Sequence, residues 1–252
     1  MAEPYFLWRG VDSRTMGIIV TQIPPVVYPA ERVTETQILG RSGALLLTEG
    51  EDVYDAYYLS IGIANRHTVA YREIAAWLRG SGTLVLSTEP RYMYTARIIK
   101  EASANRVFRN NYDGAVAFFV QPLKAEYPVQ PPRVLGETAS GSASLVHRGD
   151  VAARPVYTIE GSGDMQLTVG TATEEGTGSL IQINLPEEES GCIIDTDTAM
   201  VTSLNGETNL SASCNLFYNG FRGLWLPKLQ ATTISWNENI TRVTIDPRWR
   251  WL

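Results

Sequence analysis

Asp195 and Asp197 come closest to a catalytic constellation in this chain. On a strand, residues two apart share a face, and a facing pair of carboxyls is what glycoside hydrolysis uses. One group then acts as acid and the other as nucleophile or base. Such a pair also needs surroundings that raise the pKa of one partner, and no neighbouring residue type supplies them. A strand end leaving the core, with its aspartates in water, is the plainer reading. The two histidines, His67 and His147, have no second ligand at metal spacing and read as surface side chains. The acidic run at 187–189 lacks the turn-forming glycine framework of an ion loop. Gly161-Ser162-Gly163-Asp164 looks like a phosphate loop only in composition. No helix follows it, so it reads as a tight turn between strands.

Aromatic residues offer a different chemistry. Of six tryptophans, Trp225, Trp236, Trp249 and Trp251 lie in the second half, and exposed indoles stack on sugar rings. Trp236 alternates with Ile234 and belongs to a core. Trp249, Arg250 and Trp251 combine aromatic and guanidinium groups in the manner of protein-contact hot spots, and are the candidate contact residues. No catalytic, cofactor-binding or metal-ligating set emerges. The expectation is therefore a protein that works by contact, without a cofactor.

These residues have to be held by elements, and residues 68–99 give the firmest reading. Ala70, Ile74, Trp77 and Leu78 fall on one face of a short helix, with Thr68 placed to cap it. Gly80-Ser81-Gly82 stops the helix. A strand at 83–87 follows, then one at 91–100 with Tyr92, Tyr94, Ala96 and Ile98 on one face. Further period-2 strands are expected at 17–22, 33–39, 57–64 and 115–121, with Gly40-Arg41-Ser42-Gly43 as a turn. Three prolines within 124–136 read as an extended linker, and the polar tract 136–144 continues it as a loop. Beyond it, short strands are expected at 156–160, 165–169, 180–185, 193–196, 231–237 and 240–245, the rhythm of a β-sandwich. The chain thus divides into domains 1–130 and 131–252.

At 252 residues with 44% hydrophobic content, both parts can bury a core. No apolar run is long enough for a membrane-spanning helix, and the first ten residues lack a basic start and an apolar stretch. Two cysteines are too few for a disulfide framework and read as buried, reduced thiols. Up to residue 125 there are 13 Lys and Arg against 12 Asp and Glu; beyond it there are 8 against 15. Neither half has the basic excess that tight nucleic-acid binding needs.

The order of segments resembles the distal tail proteins of long-tailed, non-contractile bacteriophages, over nearly the whole length. Phe6 to Gly10 followed by Met16 to Val20 is similar to that family's opening hairpin. The turn at 40–43, the helix ending in Trp77-Leu78, the glycine turn and the aromatic strand 92–98 resemble its most recognisable block. Arg154-Pro155-Val156-Tyr157-Thr158-Ile159 and Thr233-Ile234-Ser235-Trp236 resemble the borders of its second domain.

The resemblance implies a mostly β fold: a tail-tube-like β-sandwich or barrel with one α-helix, then a galectin-like β-sandwich. It implies a hexameric ring at the virion tail tip, assembled in the host cytoplasm. That ring joins the tail tube protein to the hub, offers a docking face to a receptor-binding protein, and lets DNA pass through its lumen without gripping it. It implies no catalytic residue. A carbohydrate-binding role for the second domain, resting on its tryptophans, is the alternative. At this length there is no room for the sugar-binding module that some members insert.

Overall fold

The computed structural model describes residues 3–48, 50, 52–65, 69–100, 103–108, 111–171 and 176–252. The expected Thr68 cap and His67 lie outside them. The fold is mostly β with one α-helix among the described residues, and divides into units Met1–Val129 and Gln130–Trp251.

In the first unit the strands are β1 (Phe6–Trp8), β2 (Val11–Asp12), β3 (Ile18–Gln22), β4 (Val33–Gln37), β5 (Ala44–Thr48) and β6 (Tyr57–Asn65). After the helix α1 (Tyr71–Trp77) come β7 (Ser81–Leu86), β8 (Tyr92–Arg97), β9 (Ser103–Phe108), β10 (Asn111–Val120) and β11 (Lys124–Glu126). The main sheet runs β2-β1-β7-β8-β10-β6-β3, with β9 on β10 and β11 on β8. Pairing is antiparallel, and alternation sets the inward face: Tyr94 and Ala96 of β8 are buried while Thr95 and Arg97 face out.

Seven residues are too few for an isolated helix, so packing holds α1 in place. Ile74 and Leu78 are buried in the sheet's core. Trp77 is half-buried and stacks on Phe6 at 5.9 Å between ring centroids. Its carbonyl accepts the indole N–H of the fully buried Trp8 at 3.2 Å. Ala70 departs from the expected stripe: it is exposed and occupies the N-cap, with extended backbone and no side-chain cap. Alanine has no acceptor to offer there, and Val69 packs on the core instead. Gly80 ends the segment at φ +94°, where a side chain would be strained.

The second unit holds β12 (Arg133–Gly136), β13 (Gly141–Val146), β14 (Val156–Gly161), β15 (Asp164–Val169) and β16 (Ser179–Asn184). They are followed by β17 (Gly191–Asp195), β18 (Met200–Ser203), β19 (Cys214–Tyr218), β20 (Ala231–Trp236) and β21 (Ile240–Asp246). Two antiparallel sheets, β12-β21-β14-β17-β18 and β13-β20-β15-β16-β19, share one core centred on Tyr157, Leu167, Ile181, Ile194 and Val243. The Ser162-Gly163 turn carries the chain from one sheet to the other, since β14 and β15 lie in opposite layers.

Two stretches read as linker and loop are strands. Lys124–Glu126 pairs with β8, while β12 and β13 form sheet edges. Pro131 and Pro132 stand just before an edge strand, where missing N–H groups cost no ladder bonds. The glycines of the polar tract make room for one ring. A Cβ on Gly136 or Gly141 would come within 2.4 or 2.7 Å of the Trp236 indole. That indole donates to the Thr138 carbonyl at 3.1 Å.

Candidate interaction surfaces

The aspartate pair is brought together, but by arginines. Asp195, at the end of β17, accepts from Arg248 at 3.1 Å and from the backbone N–H of Asp197 at 2.9 Å. Asp197 accepts from Arg154 at 2.7 Å and Arg250 at 3.0 Å. Partial burial pushes the Asp197 carboxyl up, but the two guanidinium groups outweigh it and hold it below the usual carboxylate range. A general acid needs a retained proton, and this environment removes it. The Arg154 guanidinium also lies 4.5 Å over the Trp225 ring, whose N–H donates to the Thr196 carbonyl at 3.3 Å. The cluster is a clamp on the turn after β17. Its partners sit 43 and 53 residues away along the chain, a separation no local motif reveals.

The expected contact trio is largely absorbed by the sandwich. Trp249 is 9% exposed and belongs to the core, Trp251 packs against that core, and Arg250 is engaged by Asp197. Aromatic and guanidinium content alone does not say whether a core or a partner takes up those groups.

His147, expected at the surface, presents the edge of its ring to Trp249 at 4.7 Å, with both ring nitrogens shut away from solvent and lacking a well-formed hydrogen bond. Burial pulls the imidazole below its ordinary value, against the weaker opposing effect of the Gly149 and Val151 backbone and the Asp150 carboxylate. The unfolded chain therefore binds a proton that the fold resists. Stability from this site is complete above the unfolded pKa of 6.5 and is lost as pH falls through the lower folded value. The second unit should melt at a lower temperature at pH 5 than at pH 8, and His147→Gln should shrink that difference. An equal difference in the variant would remove His147 from the account.

Both cysteines are free. Burial pushes the Cys192 thiol up to about 12 and Cys214 up to about 11. Among the described residues no group of three or more His, Cys, Asp or Glu converges on a metal position.

In the first unit, Lys124 is buried and its ammonium lies 3.1 Å from Glu89, between the rings of Tyr92 and Tyr94 at 5.5 and 5.6 Å. The Tyr94 hydroxyl donates to the same carboxylate. Burial first, then the hydrogen bond to Glu89 and the charge of that carboxylate, keep the phenol protonated. The cluster satisfies itself and offers no open position.

A further exposed element is β4–β5. It forms a two-stranded sheet of its own, with Val33 opposite Thr48 and Gln37 opposite Ala44. None of residues 21–48 is buried, and every one from 30 to 48 is exposed. Leu39 at the tip is fully exposed, and Leu45, Leu46 and Leu47 are 43, 62 and 53% exposed. The base is tied by the Glu31–Tyr54 bridge and by the Arg32–Asp55 ion pair at 2.8 Å. A two-stranded hairpin on its own is marginal in water, so the ties at the base of this arm matter to it.

No family model matches the sequence, and no curated protein matches it in sequence. Among solved structures, the chain is similar to the SPP1 Dit (gp 19.1) protein, described as a paradigm of the hub adsorption apparatus in phages infecting Gram-positive bacteria. The TM-score is 0.72 at 15% identity, and the alignment covers 100% of both chains. The fold is that of SPP1 Dit. The likeness runs through both units, including the helix-bearing sheet and the sandwich. At this identity it speaks for the fold, and residues are not carried across.

Proposed function

We propose that this protein is a structural component of a bacteriophage tail tip, acting as an adaptor and not as an enzyme. The observation that carries the reading is the match to a hub adsorption protein along the entire chain. In this reading the N-terminal units of several copies, six by the family resemblance, close into a ring. The ring joins the tail tube to the hub, and DNA passes through its lumen. The sandwich serves as a platform for other tail-tip proteins. Near-balanced charge in the first 125 residues suits close packing of copies and a lumen that does not hold phosphate.

The arginine-bound state of Asp195 and Asp197 speaks against a hydrolase. The carbohydrate alternative is weakened as well, because Trp236 and Trp249 are core residues, Trp251 packs against the core and the Trp225 ring is overlain by Arg154. Light scattering on a sizing column, with negative-stain microscopy of the peak, is the test. Closed rings are the expected result. A monomer at all attainable concentrations, alone and with its tube partner, would overturn the reading.

A further inference from the structure

We propose that Asn219 is a self-modification site: with Gly220 it deamidates spontaneously to aspartate and isoaspartate, while the chemically equivalent pair Asn205-Gly206 is kept inert by the fold. This chemistry belongs to the second unit and is independent of ring formation.

The chain holds two Asn-Gly pairs, both in the sandwich. Glycine lets its own nitrogen approach the preceding side chain, because no Cβ stands in the way. In the reaction the Gly220 nitrogen attacks Cγ of Asn219. The new N–C bond closes a cyclic imide, the Cγ–Nδ2 bond breaks, and the Gly220 proton leaves with Nδ2 as ammonia. One water then opens either imide carbonyl. The products are aspartate, or isoaspartate with the main chain running through the former side chain. Nothing is oxidised or reduced, and water is the sole co-reactant.

The two pairs differ in the state of the attacking nitrogen. The Gly206 N–H donates to the Ser203 carbonyl at 2.9 Å. The Asn205 amide is fastened at both ends: its oxygen accepts from the Ser203 hydroxyl and from the Glu207 N–H at 3.0 Å, and its Nδ2 donates to the Glu207 carboxylate at 3.2 Å. Nucleophile and electrophile must both break free before they can meet. Gly220 instead opens the 3-10 helix Gly220–Leu224, where the first N–H has no acceptor within the helix. Among the described residues none accepts it elsewhere. Asn219 is exposed, so water and hydroxide reach it. The backbone just before it is strained, with the bulky Tyr218 at φ +64°.

The Asn219 side chain is tied through its leaving group alone. Nδ2 donates to the Gly176 carbonyl at 2.7 Å and to the Gly178 carbonyl at 3.0 Å. Deamidation replaces this double donor by a carboxylate that faces two carbonyl oxygens, and so unfastens residues 176–178 from the end of β19. The effect reaches the core as well. Leu224, at the other end of the 3-10 helix, is fully buried, and its carbonyl accepts from the Tyr157 hydroxyl at 2.8 Å. The sandwich therefore weakens as the protein ages.

The test is a peptide map of the full-length protein after incubation in mildly alkaline buffer, read by mass spectrometry and by an isoaspartate-specific methyltransferase. In urea both pairs should react at similar rates. In the native protein Asn219 should convert at least about fivefold faster than Asn205, the factor that one hydrogen bond on the nucleophile is worth. Isoaspartate at position 219 should rise as the melting temperature of the sandwich falls. Asn219→Asp should start from a lowered melting temperature, and Asn219→Gln should keep its own value over the same period. Equal native rates, or faster conversion at Asn205, would overturn the assignment. So would a native Asn219 that stays intact while the urea sample converts.

Discussion

Lys124→Met is expected to destabilise the N-terminal unit by about 3 kcal/mol, because it leaves the Glu89 carboxylate without its ammonium partner in a largely desolvated place. The figure sits at the low end for broken buried pairs. Glu89 keeps 26% of its side chain exposed and retains the Tyr94 hydroxyl as donor. The double variant Lys124→Met/Glu89→Gln should recover much of the loss, since removing both charges leaves no orphan. The urea midpoint of the N-terminal transition, at unchanged slope, is the readout. A loss below about 0.5 kcal/mol in the single variant would mean that the pair is solvated.

Trp8→Ala should cost about 3–5 kcal/mol in the same unit, the range for emptying the place of a large buried aromatic. Trp8 packs edge-on against Phe118 at 5.1 Å and holds the end of α1 through the Trp77 carbonyl. The helix should therefore loosen along with the core. Trp8→Phe keeps most of the packing and removes the N–H donor, so it should cost the lesser share. Trp77→Ala should fall below Trp8→Ala, because the Trp77 ring is half-buried. Equal losses for the two tryptophans would place the Trp77 ring in the core.

The main sheet and the sandwich were legible because alternation and burial coincide there. Tyr94 and Ala96 face the core as period-2 reading expects, and Gly80 ends the helix where its left-handed backbone is needed. The helix start was not legible: Ala70 fits the spacing, but spacing cannot tell a stripe position from the residue just before the first turn. The arm misled in another way. Its first strand and glycine turn were visible, yet the run Ala44-Leu45-Leu46-Leu47-Thr48 has no alternation, because neither face meets a core. In β13 the pattern failed for the opposite reason. Gly141 carries no side chain because a Cβ there would meet the Trp236 ring. The candidate aspartates were found in sequence, but their arginine partners were not, since only the fold brings positions 154, 248 and 250 to positions 195 and 197.

The placement of the two thiols makes them a natural spy on the molecule. Cys192 and Cys214 both lie in the sandwich, and the other unit has none. A thiol-labelling reagent applied to the native protein should therefore time the breathing of the sandwich alone, and stay blind to the helix-bearing sheet. Labelling followed alongside self-association would reveal whether joining other copies stiffens the sandwich.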